Sequence, residues 1–216
     1  MKVTGPARRR TQAERRAASE AALLSAAAEL IAERGFERTS LRSIGARAGT
    51  SREMPAYHFG SKEELITRLA ERAHQRTQEA TADALKRSGR RIEELSALDA
   101  LRVTIQTYLE IFVATDAEEE RAVVVMWGAT FPSDSPLPEV VQSDRQTLLN
   151  LAETIRSGQH DGSIRADVDP AAAAVLITGM ARGIAALSLN HPGAADPPAV
   201  RDLCGEVISS LLQSPK

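Results

Sequence analysis

Arg42, Arg52 and Lys62 stand among the hydroxyls of Thr39, Ser40, Thr50 and Ser51 in the first third of the chain. Cationic N–H groups and hydroxyls both donate to phosphate oxygens, so this set suits a row of phosphates. Arg52 could pair bidentately with a guanine edge, and its neighbour Glu53 could accept from cytosine N4. Tyr57 carries a hydroxyl able to reach a phosphate, and His58 reads as a packing or phosphate residue. Met54 fits either a thymine methyl or the core. The competing reading is that these side chains only solvate helix faces.

Other chemistries find less support. The four histidines are scattered without ligand spacing, and no nucleophile–base pair or phosphate loop is recognisable. No catalytic residue, metal site or cofactor is therefore expected. The single cysteine, Cys204, excludes a disulfide scaffold and fits a reducing cytoplasm.

The elements that must position these residues read as helix after helix. Leu23, Leu24, Ala27, Ala28, Leu30 and Ile31 recur at helical spacing between Arg16 and Arg34. Gly35 stands where a helix needs a terminator, with Phe36 folding back behind it. A short helix follows, capped by Thr39 or Ser40 and broken by Gly49. A third helix is expected from Ser51 to His58, opened by a capping box in TSRE (50–53), with distortion at Pro55. SKEE (61–64) is a second capping box and opens a long helix. Further helices are expected over 91–114, 117–129, 138–157, 170–190 and 197–213. Two short helices across a glycine turn have the arithmetic of a helix-turn-helix, whose second helix enters the major groove.

Composition fits a globular protein, with 43% hydrophobic and 26% charged residues among 216. Disorder throughout is excluded. The net charge of −2 argues at first against a nucleic-acid partner. Its distribution reverses that argument. Residues 1–72 carry 14 Lys and Arg against 9 Asp and Glu, a net +5, and the remainder carries −7. A basic third on an acidic body implies two tasks in one chain. No signal peptide is read at the N-terminus. The run Ala171–Ala181 is too short to span a membrane, and a buried helix is expected there.

The stretch AAAELIAERGFERTSLRSIGARAGTS (26–51) with AYHFGSKEELI (56–66) resembles the tetracycline-repressor (TetR) family of bacterial transcriptional regulators. The resemblance implies an all-α homodimer. Three N-terminal helices would bind a palindromic double-stranded DNA operator, and a C-terminal helical domain would bind a small molecule and dimerise. Ligand binding would relieve repression. Pro55-Ala56 departs from the family's common Leu-Tyr, so one aromatic phosphate contact is missing. Expected DNA-contacting residues are Thr39, Ser40, Arg42, Thr50, Ser51, Arg52, Glu53, Tyr57, His58 and Lys62. The expected layout is a flexible basic arm over 1–15, a DNA-binding domain over 16–62 and a ligand-binding and dimerisation domain over 63–216. Arg8–Arg10 of the arm would reach the minor groove or remain solvated.

Gly179 and Gly183, four apart, with Leu203, Val207, Ile208 and Leu211 form the expected dimer face on two helices. The resemblance places pocket walls at Tyr108, Phe112, Met126, Trp127 and Phe131, each equally readable as core. Few polar residues lie among them, favouring an apolar or aromatic effector. A cytoplasmic location without membrane contact is expected. The alternatives are a helical adaptor or an enzyme carrying a non-functional helix-turn-helix.

Overall fold

The computed structural model describes residues 11–112, 117–131 and 137–213. Among them the chain forms nine α-helices and one 3-10 turn, Ile92–Glu94, and no strand. The helices are α1 (Gln12–Arg34), α2 (Leu41–Arg47), α3 (Met54–Phe59), α4 (Lys62–Arg87), α5 (Ala97–Phe112), α6 (Glu118–Gly128), α7 (Pro138–His160), α8 (Pro170–Asn190) and α9 (Pro197–Leu212).

Helix ends follow local chemistry, with some departures from expectation. α1 starts at Gln12, because Thr11 and Glu14 close a capping box: the Glu14 N–H donates to Thr11 Oγ1 at 3.1 Å and the Thr11 N–H to Glu14 Oε2 at 2.7 Å. Residues 12–15 thus belong to the helix and not to an arm, while Arg8–Arg10 lie outside the described residues. Ser40, not Thr39, caps α2, in a reciprocal box with Ser43. α3 begins at Met54, three residues later than expected, and the TSRE box does not form. Pro55 explains this. Lacking an N–H, it belongs in the first turn, where no intrahelical partner is required. The helix therefore starts around it instead of distorting at it. Gly60 ends α3 at φ 74°, and the Ser61 hydroxyl accepts from the Glu64 N–H at 3.0 Å to open α4. The helix expected over 91–114 is split, since Leu95 is extended and α5 starts only at Ala97. α7 runs one turn beyond expectation, to His160. Asp169 and Asp196 cap α8 and α9 through the N–H groups of Ala172 and Ala199, each ahead of a proline.

Two main cores run through the molecule. The first joins Leu23, Ile31 and Phe36 to Ile44, Phe59, Leu65 and Leu69, and extends into Ala122 and Met126 of α6 and Val140 of α7. The second joins α5, α7, α8 and α9 through Leu101, Ile155, Ile177 and Ile208. A small third group, Phe112, Val124 and Ala185, lies between α5, α6 and α8. The N-terminal helices thus share their core with α6, and the two halves meet through packed side chains. α8 is 21 residues long and its most apolar 18-residue window has a mean hydropathy of 1.7, so by length and composition it could cross a membrane. The 11-residue run expected to form a buried helix is the first half of this longer one, of whose most apolar window only 28% is buried. α8 also packs closely on α7.

Candidate nucleic-acid interface

α2 and α3 cross at a point that only glycine permits. A Cβ on Gly45 would stand 2.7 Å from the Ser51 carbonyl oxygen and 3.3 Å from the Pro55 ring. Pro55 is buried there, and Gly49 makes the intervening turn at φ 66°. A short α2, a glycine turn and a short α3 follow, with Ile44 and Phe59 anchoring them in the first core.

This crossing leaves one outward face. Ser40, Arg42, Ser51, Arg52, Glu53 and Tyr57 are all exposed, Tyr57 to 73%. Arg42, Arg52 and Glu53 have no side-chain hydrogen-bond or ion-pair partner among the described residues. Two guanidinium groups and a phenol therefore stand free to meet an external partner. Other cations nearby are committed. Arg47 bridges to Glu29 and Glu33, at 2.8 Å each. Arg34 donates to Ser43 Oγ at 2.6 Å, and Arg38 to the Arg34 carbonyl at 2.8 Å.

Four predicted contact residues are placed otherwise. Thr39 is buried, 2% exposed, and its hydroxyl donates to the Gly35 carbonyl at 2.9 Å. The Thr50 hydroxyl sits 3.3 Å from the Gly45 and Ser51 carbonyls. Both hydroxyls close local turns. His58 is half-buried, ringed by Tyr57 and Phe59 at 5.6 and 6.0 Å, and its Nδ1 is buried without a partner. Lys62 points inward: Nζ donates to the Phe36 carbonyl at 2.8 Å and lies 3.5 Å from the centre of the Phe36 ring. Burial lowers its pKa below the ordinary lysine value, against the raising influence of Glu37 and Glu63. This lysine fastens the α1–α2 loop to the start of α4.

The predicted pocket residues are divided among several packing groups. Met126 is fully buried in the first core, Phe112 belongs to the small third group, and Phe131 is 68% exposed. Tyr108 and Phe112 are neighbours at 6.3 Å, and Trp127 and Phe131 meet edge-on at 4.9 Å. The residues between Phe131 and Leu137, expected as a mobile rim, lie outside the described residues. The predicted dimer face divides too. Gly179, Leu203 and Val207 are exposed, and Cβ atoms added at Gly179 and Gly183 would meet open space. Ile208, by contrast, is fully buried in the second core, with Leu211 packed partly against it.

Two groups that sequence reading missed are ionic. Glu119 and Glu120, 4% and 2% exposed at the start of α6, face Arg72 and Arg76 of α4. Arg72 lies 2.9 Å from Glu119 Oε1 and also donates to the Ala21 carbonyl of α1 at 3.0 Å, and Arg76 lies 3.3 Å from Glu120 Oε1. Further on, Arg182 of α8 grips both oxygens of Asp144 of α7 at 2.6 Å. Nothing local marks either group, because an acidic first turn ordinarily reads as a solvated helix start.

A helix–glycine turn–helix pair presenting free arginines, on an all-helical body, defines a helix-turn-helix DNA-binding regulator. Comparison with known proteins specifies the family. Residues 23–69 match the family model for bacterial regulatory proteins of the tetR family, and residues 101–213 match that of the C-terminal part of BetI-type transcriptional repressors. The chain belongs to the TetR family of transcriptional regulators. It is 29% identical over 176 residues to "Probable HTH-type transcriptional regulator ArpR" of Pseudomonas putida, covering 77% of this chain and 79% of that protein. It is 27% identical over 183 residues to the HTH-type transcriptional regulator TtgR, also of Pseudomonas putida, covering 81% and 83%. Its fold matches a TetR-family structure from Rhodococcus sp. (TM-score 0.75, 20% identical, 91% and 100% covered). It also matches AibR in complex with isovaleryl coenzyme A and operator DNA (TM-score 0.64, 19% identical, 88% and 98% covered). A third match is the SmeT–triclosan complex (TM-score 0.69, 21% identical, 91% and 92% covered). The families and relatives matched are transcriptional regulators rather than enzymes.

Proposed function

We propose that this chain is a cytoplasmic homodimeric repressor that binds a palindromic operator and is released by a small apolar or aromatic molecule. The observation that carries the reading is the free face of the helix-turn-helix, where Arg42, Arg52 and the Tyr57 hydroxyl stand exposed beside Glu53. Arg52 and Glu53 read base edges, while Arg42, Tyr57 and the Ser40 and Ser51 hydroxyls meet phosphates.

Repression is supported by the BetI-type repressor model over residues 101–213. An effector is supported by AibR and SmeT, whose structures hold isovaleryl coenzyme A and triclosan. Dimerisation is supported by apolar side chains turned outward on two helices: Val175, Leu176 and Leu187 on α8, and Leu203 and Val207 on α9. Two such helices from each subunit would make a four-helix interface on a two-fold axis. Operator half-sites would then lie about one helical turn, roughly 34 Å, apart. The ion pairs from α6 to α4, continued by the hydrogen bond from Arg72 to the Ala21 carbonyl of α1, supply a rigid route between sensor and reading head.

The test is a gel shift with DNA flanking the protein's own gene across a salt series. Retention that weakens steeply with salt supports the proposal. Failure to enrich any duplex in a random-site selection would overturn it.

A further inference from the structure

Three helices bring three unlike side chains together in the C-terminal half, Trp127 from α6, Asp144 from α7 and Arg182 from α8, and Tyr108 of α5 packs against the second and third cores within electrostatic reach of Arg182. The Arg182 guanidinium donates through Nη1 and Nη2 to the two carboxylate oxygens of Asp144, both at 2.6 Å. It also lies 5.3 Å from the centre of the Trp127 ring. The pair is only partly enclosed, with side-chain exposures of 15% and 22%. Phe131 meets Trp127 edge-on and adds an exposed aromatic rim.

The hydrogen-bonding capacity left over is one-sided. Tyr108 Oη, Trp127 Nε1 and Arg182 Nε make no hydrogen bond among the described residues, and all three carry a donor hydrogen. Burial pushes the Tyr108 phenol up to about 12; the Arg182 charge acts to lower it and Glu120 to raise it. The phenol therefore stays a donor throughout the physiological range. Spare donors around a guanidinium call for an acceptor. The flat indole and the exposed Phe131 edge call for a planar ring.

We propose that Trp127, Tyr108 and Arg182 seat a planar aromatic carboxylate, and that Asp144 is the internal anion which the ligand's carboxylate displaces. A ligand carboxylate offers Arg182 the same two oxygens in the same fork, so the exchange conserves both charge and hydrogen bonds at the guanidinium. The ring of the ligand covers Trp127. Asp144, once displaced, swings to solvent, and the tie between α7 and α8 is cut. This deepens, and rests on, the reading of the C-terminal half as an effector sensor.

The sequence holds one tryptophan, so the emission of the full-length protein reports on Trp127. Benzoate, benzamide and benzamidine share a planar shape and differ in charge. Benzoate should change the emission saturably, benzamide should bind at least ~10-fold more weakly, and benzamidine should give no saturable change. Arg182→Gln should abolish the benzoate response. Asp144→Asn should tighten benzoate binding by about 10-fold, because the internal competitor is gone. Preference for benzamide or benzamidine, no saturable response to any of the three, or benzoate binding unchanged in a folded Arg182→Gln protein would each overturn the proposal. If Arg182→Gln does not fold, Asp144→Asn decides, and unchanged or weaker benzoate binding overturns it. Retention of duplex DNA by the same preparations separates the two readings: duplex binding without a benzoate response removes this proposal alone.

Discussion

Lys62 shows how a residue's type and its task can part. A lysine at the start of a helix beside a helix-turn-helix reads as a phosphate contact. Here its ammonium is held by the Phe36 carbonyl and ring, 26 residues back in the chain. Lys62→Met removes a charged hydrogen bond and leaves that carbonyl unpaired, at a cost of about 1–2 kcal/mol, measurable by urea denaturation. A variant as stable as wild type would mean the contact contributes nothing. Thr39 follows the same logic, since its hydroxyl is spent on Gly35. What was legible at this scale was local: a cap at Thr39 or Ser40, which Ser40 supplies, Gly35 as a helix terminator, Gly49 as the break after α2, and Phe36 folded back into the core. Each depends on neighbours a few residues away. Lys62, Arg47 and Arg182 depend on distant partners that no spacing rule identifies.

At the scale of elements, two junctions hold the reading head. Gly45→Ala would drive a methyl against the Ser51 carbonyl and the Pro55 ring, separating α2 from α3. Such overpacking costs about 1–3 kcal/mol and should abolish duplex binding before the fold is lost, as comparison of gel shifts with thermal melts would reveal. Unimpaired binding would place the recognition surface elsewhere. The second junction is the ion-pair group between α4 and α6. Its partners differ in burial: the Glu119 side chain is 5% exposed and that of Arg72 33%. Arg72→Met strands a buried carboxylate and should cost about 3–5 kcal/mol, whereas Glu119→Gln leaves an arginine that can turn to water and should cost far less. Equal losses in denaturant melts would contradict this asymmetry. Most later helices were readable in outline, and the start of α8 from Asp169 ahead of Pro170, while the Asp196 cap of α9 went unread. Starts without an apolar pattern were not: the Thr11–Glu14 box lies in a stretch with no large apolar side chain, and the start of α3 was hidden because Pro55 overrides the capping signal before it.

Across the whole molecule, the modest net charge conceals a division of labour. In the proposed dimer the +5 N-terminal third, four of whose cations lie before the described residues, would bring about +10 towards the operator, against −7 on each C-terminal body. That arrangement requires the outward faces of α8 and α9 to pair. Leu203→Glu with Val207→Glu places four carboxylates in the proposed interface. Light scattering should then report monomers, with duplex affinity lower by at least ~100-fold through loss of the second half-site. A dimer that persists would move the interface elsewhere. The cores explain why the expected boundary near residue 62 is not a seam, since Ala122, Met126 and Val140 complete the core begun by α1.

The proposed contact of α2 and α3 with DNA runs through a free arginine. Its most direct test is random-duplex selection with wild type and Arg52→Ala in parallel, followed by binding titrations on the selected site. Wild type should select a two-fold symmetric site. Arg52→Ala should lose about 1–3 kcal/mol per half-site, with relaxed preference confined to one base-pair position in each half. An unchanged affinity and an unchanged base preference would contradict it.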